Sequence, residues 1–104
     1  MQGNPWRNYR TVVEETEASE EIAKLKQQHP RFEEQWDGFV WLVARKPVEI
    51  SLGKIMDGVT YRLSHRAGDA RSNLPDIAVL YTFDDTSVTI LYISVWEPSE
   101  IEEE

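Results

Sequence analysis

Ile77-Ala78-Val79-Leu80-Tyr81-Thr82-Phe83-Asp84-Asp85-Thr86-Ser87-Val88-Thr89-Ile90-Leu91-Tyr92-Ile93-Ser94-Val95 decides the fold. Two runs rich in β-branched and aromatic residues, 77–83 and 88–95, flank Asp84-Asp85-Thr86-Ser87, the pattern of an antiparallel hairpin. Their apolar residues fall in both phases, which assigns the two strands central places in a sheet. Upstream, Val59, Tyr61 and Leu63 alternate with Thr60, Arg62 and Ser64, which predicts a half-buried strand with Arg62 facing away from the core. Residues 65–76 carry turn formers without a period, and 47–58, ending in Asp57-Gly58, read as a connection.

Further upstream the period changes from two to 3.6. Phe32, Trp36, Phe39, Val40 and Val43 recur at helical spacing, so residues 31–46 predict a helix with Pro30 at its start and Pro47 as its stop. At 100° per residue, Trp41 projects roughly opposite that apolar face. A shorter helix over 17–28 is read from Ala18, Ile22 and Leu25, with Thr16 as its cap and Glu17, Glu20 and Glu21 at the positive end of the dipole. Tyr9 to Glu15 reads as the first strand. The expected fold is α+β, in the order β-α-α-β-β-β, with two antiparallel helices on a small antiparallel sheet.

The chain of 104 residues, 40% hydrophobic, is the size of one domain, 1–104, with residues 97–104 as an acidic tail holding five Glu. It has no cysteine, so a disulfide framework and a thiolate metal site are excluded. Two isolated His with scattered carboxylates give no metal-ligand spacing, and no cofactor is called for. Neither a signal-like h-region nor an apolar run of membrane length is present, so a cytoplasmic protein without a membrane span is expected. The net charge of −8 opposes broad nucleic-acid binding, which depends on Lys and Arg neutralising phosphate. Residues 45–71, however, hold Arg45, Lys46, Lys54, Arg62, Arg66 and Arg71 against three acids, a local +3 inside an acidic body.

Several pieces in this order resemble the RelE/ParE superfamily of type II toxin–antitoxin pairs, known also for plasmid stabilisation. They are His29-Pro30-Arg31-Phe32-Glu33-Glu34, Trp41-Leu42-Val43-Ala44-Arg45-Lys46-Pro47, Tyr61-Arg62-Leu63, Ile77-Ala78-Val79-Leu80-Tyr81 with Asp84-Asp85, and Val88-Thr89-Ile90-Leu91. The resemblance implies a RelE-like domain held inactive by an antitoxin protein. RelE-like members cleave mRNA in the ribosome without a metal, and ParE-like members act on DNA gyrase. Such cleavage needs a group to activate the ribose 2′-hydroxyl and cations to stabilise the charged transition state. Arg62 matches a basic family position. Ala78 stands where many members have Arg, and Trp96 is followed by Glu97-Pro98 where many carry Tyr or His and then Lys.

The resulting candidates are Arg62, His65 and Tyr81 as catalytic groups of an endoribonuclease, with Arg66, Arg71 and Lys54 as substrate contacts. Arg holds phosphate bidentately and His transfers protons near neutral pH. The plain alternatives are solvated residues at a strand end for the cations and core packing for Tyr81. Trp41, if exposed, is an interface anchor for a homodimer or an antitoxin; otherwise the segment Asn4-Pro5-Trp6 covers it. Two functions compete: a toxin directed at ribosome-bound mRNA or gyrase, and a non-catalytic protein-interaction domain that keeps the fold without the cationic site.

Overall fold

Thr11–Glu14 (β1) is followed by helices Thr16–Gln28 (α1) and Phe32–Arg45 (α2), and then by strands Leu52–Met56 (β2), Val59–Arg66 (β3), Asp76–Phe83 (β4) and Ser87–Trp96 (β5) in a computed structural model. The structure describes residues 9–69, 71 and 74–96. The class is α+β, as the change of period indicates. The five strands form one sheet in the order β1-β5-β4-β3-β2. Every pairing is antiparallel except that of β1 with β5, which is parallel.

The helices form because their apolar residues fall on one face, and that face is buried. Ala18, Ile22 and Leu25 of α1 join Phe32, Trp36, Phe39 and Val43 of α2 against Ile77, Val79, Tyr81, Val88, Ile90 and Ile93. Trp36 stacks on Phe32 and Phe39, with ring centroids 6.1 and 5.2 Å apart, and Phe39 meets Tyr81 edge-on at 6.2 Å. Leu91 interrupts the register, since Leu80 pairs with Tyr92 but Tyr81 with Ile90. This bulge switches the inward phase of β5 from Val88 and Ile90 to Ile93, so apolar residues of both parities are needed there.

Three local expectations are corrected. Residues 47–58 are not only a connection, because 52–56 form edge strand β2, turned into β3 through Asp57-Gly58. Both turn residues have positive φ, 54° and 79°, as a two-residue hairpin turn of the primed type requires. Thr16 is the first helical residue rather than the cap; Glu15 holds that place, its N–H drawn out along the sheet to the Ile90 carbonyl at 2.9 Å. Finally, α2 starts at Phe32, with Pro30 and Arg31 in the preceding turn.

Candidate functional site

The alternation in β3 is inverted relative to the sequence reading. Paired residues in adjacent strands share a face, and Arg62 pairs with Tyr81, Ser64 with Val79, and Arg66 with Ile77. Arg62, Ser64 and Arg66 therefore lie on the helix-covered face, while Val59, Tyr61 and Leu63 lie on the other. Ser64 is fully buried, whereas Val59 and Leu63 are exposed. What covers β3 on the inner face is the loop 47–51, whose irregular backbone needs donors for its carbonyls rather than apolar cover.

Side chains supply those donors. Arg62 Nε donates to Ser51 Oγ at 2.9 Å, and its Nη2 donates to the carbonyls of Ser51 and Val48 at 3.0 and 3.2 Å. Ser51 Oγ and the Tyr81 hydroxyl both donate to the Pro47 carbonyl, at 2.7 and 2.5 Å, and Ser64 Oγ donates to the Ile50 carbonyl at 2.7 Å. Four carbonyls of a five-residue loop are thus met by a polar clasp from β3, β4 and the loop itself. Gly53, opposite Arg62 in β2, completes it, because a Cβ at that position would collide with the guanidinium lying across the strand. Burial pushes the Tyr81 hydroxyl above the ordinary tyrosine value of 10.0, against the opposing influence of Ser51 and Arg62. A buried hydroxyl of this kind is a fixed donor and a poor base.

The six site candidates are not gathered at one place. Arg62, Arg66 and Tyr81 lie on the inner face. His65, paired with Ala78, and Lys54, paired with Tyr61, lie on the outer face. Arg71 is exposed in the segment between β3 and β4, with its N–H donating to Asp69 Oδ1 at 3.0 Å. Arg62 and His65 thus lie on opposite faces of the sheet. Ser51 and Ser64, which complete the clasp, were not signalled as polar contacts of a buried face by the alternating pattern. The acidic tail 97–104 and Asn4-Pro5-Trp6 lie outside the described residues.

Trp41 is exposed, at 56%, as its helical phase requires. It borders an open groove of about 490 Å³ between β1 and α2, floored by Val12, Val40 and Ala44. The Arg45 guanidinium lies over the Trp41 ring at 4.1 Å and over the Tyr9 ring at 5.0 Å, cation–π contacts that hold all three at the rim. Asp37 lies on the same rim. The groove runs beside β1, an edge strand of the sheet.

Among the described residues no helix is long and apolar enough to cross a membrane, and no three His, Cys, Asp or Glu side chains converge as a metal site would require. In comparisons with known proteins, no family model, no curated protein and no solved structure matches this chain.

Proposed function

We propose that this chain is a RelE/ParE-like member of a type II toxin–antitoxin pair that works as a non-catalytic protein-interaction domain. The reading rests on the sequence resemblance and on the order of one strand, two helices and then antiparallel strands. The observation that carries its non-catalytic half is the engagement of Arg62 and Tyr81. Two of the three catalytic candidates, Arg62 and Tyr81, instead satisfy carbonyls of loop 47–51. A transition-state cation must be available to a phosphate, and the Arg62 guanidinium already makes three hydrogen bonds within the chain.

The partner in this reading is an antitoxin-type protein that lays an extended segment along the groove of Tyr9, Trp41 and Arg45. Edge strand β1 offers backbone groups for such a segment, and an aromatic rim is the usual anchor of a protein interface. The test is induced expression in a host without any antitoxin, following growth and transcript integrity. No toxicity and intact transcripts are expected, together with co-purification of an antitoxin-like neighbour gene's product that Trp41→Ala weakens. Growth arrest with ribosome-dependent transcript cleavage would refute the non-catalytic reading.

The second reading is a toxin directed at ribosome-bound mRNA or at DNA gyrase. It is favoured by Arg66 and Arg71, which lie outside the clasp at the far end of β3 and beyond it. In that case Arg66→Ala and Arg71→Ala abolish toxicity without loss of fold, and Arg62→Ala lowers toxicity and stability together.

A further inference from the structure

The face of the sheet turned away from the helices carries a row of large apolar side chains in register across four strands. Leu52 pairs with Leu63, Leu63 with Leu80, and Leu80 with Tyr92. Leu52, Leu63 and Tyr92 are 79%, 49% and 57% exposed, and Met56, Val59 and Val13 extend the same face outward. Strand faces that meet water normally alternate to polar residues, and a contiguous apolar patch beyond a few hundred Å² marks an interaction surface.

We infer that this outer face is the interface of a homodimer, with a second copy of the chain packed sheet to sheet. The distribution of charge argues for a second copy. The helices carry the exposed carboxylates Glu17, Glu20, Glu33, Glu34 and Asp37, and Glu15, Glu49, Asp57, Asp69, Asp84 and Asp85 lie exposed in turns and loops. On its strands the outer face presents Lys54, in edge strand β2, and His65, in β3, and its one strand carboxylate among the described residues, Asp76, at the start of β4, accepts a hydrogen bond from the Gly68 N–H. Two chains of net charge −8 repel in most orientations. Back to back, their acidic helix layers are separated by two sheets packed about 10 Å apart, beyond the screening length of about 8 Å at physiological salt. Size argues the same way, since five strands about 4.8 Å apart span roughly 20 Å. A face of that width can bury on the order of 800 Å² per partner, as a stable interface requires. A twofold axis along the row sets Leu52, Leu63, Leu80 and Tyr92 against their own copies, an isologous contact. Pairing through the β2 edge is disfavoured, because Lys54 at its centre meets a second Lys54.

This inference does not depend on the proposed function. Sedimentation velocity of the full chain over a wide concentration range tests it, with Leu63→Glu, Leu52→Glu and Trp41→Ala measured beside the wild type. Leu52 is the safeguard, since a side chain so exposed at the sheet edge can be changed without loss of fold, which circular dichroism verifies. The expected result is a wild-type dimer whose Kd rises at least about 10-fold in both Glu variants and is unchanged in Trp41→Ala. A wild type that stays monomeric at every soluble concentration overturns the inference. So does a dimer that survives both Glu substitutions, or one that only Trp41→Ala dissolves.

Discussion

The two halves of the sheet are held to their cover by different forces. Under the helices, β4 and β5 present Ile77, Val79, Tyr81, Val88, Ile90 and Ile93 to aromatic and aliphatic side chains. Under loop 47–51, β3 presents Arg62 and Ser64 to carbonyl oxygens. The first contact is non-directional and scales with the area removed from water. The second is directional, and each of its members matters because a carbonyl left without a donor in a covered place is costly. The same strand geometry thus calls for apolar or polar residues according to what lies above it.

That contrast is broken most severely in the apolar half. Phe39→Ala empties a site between Trp36 and Tyr81 and is expected to cost about 3–5 kcal/mol, read by denaturant unfolding as a fall in the midpoint at constant slope. In the polar half Arg62→Ala is expected to cost less, about 1–3 kcal/mol, for the carbonyls of Val48 and Ser51 that lose their donor. Its signature is regional: amide exchange should accelerate in residues 48–66 while β4 and β5 keep their protection. Should both variants lower protection uniformly, the distinction between the halves fails. Tyr81→Phe joins the halves, because it keeps the ring against Phe39 and removes only the bond to the Pro47 carbonyl. A loss of about 1 kcal/mol is expected.

Titration sharpens the same contrast. The folded chain holds the Tyr81 proton more tightly than the unfolded chain does, so this contribution is complete below pH 10.0. It is lost as pH rises from there through the raised folded value. Melting temperatures above pH 10.0 should fall more steeply for the wild type than for Tyr81→Phe. Asp84 works in the opposite sense. Its exposed carboxylate accepts the N–H groups of Thr86 and Ser87, both at 2.9 Å, and these bonds hold it below its ordinary value of 3.8. The contribution is complete above pH 3.8 and is lost as pH falls through the depressed folded value. Asp84→Asn should flatten that acid limb by a small amount and leave neutral stability nearly unchanged.

Much of the apolar half was legible in the sequence, because period and burial coincide there. Phe32, Trp36, Phe39 and Val43 repeat at helical spacing and are all buried. The outward place of Trp41 followed from the same arithmetic. The polar half was not legible, since alternation in Val59-Thr60-Tyr61-Arg62-Leu63-Ser64 states only that two faces differ. Assigning the apolar face to the core presumes that the core is apolar at that point. Strand β2 was concealed for a related reason: exposed on both sides, it has no hydrophobic period, and only Asp57-Gly58 marks the hairpin. The parallel place of β1 depends on contacts from distant parts of the chain and leaves no local signal. Nor did residue type distinguish a cation open to phosphate from one such as Arg62 that is bonded within the chain.

That place of β1 bears on how the chain is made. Arg10, just before β1, donates from Nε to the Asp84 carbonyl at 2.6 Å across 74 residues of sequence, and the Thr11 N–H donates to the Thr86 carbonyl beside it. On a ribosome, which releases about 5–20 residues per second, the first strand emerges seconds before its neighbour exists. Until β5 arrives, α1 and α2 lack Val88, Ile90 and Ile93 as cover, and part of their apolar face stays accessible to chaperones. The nascent chain therefore completes its core in one late step, and folding should be slow to begin and cooperative once it has begun.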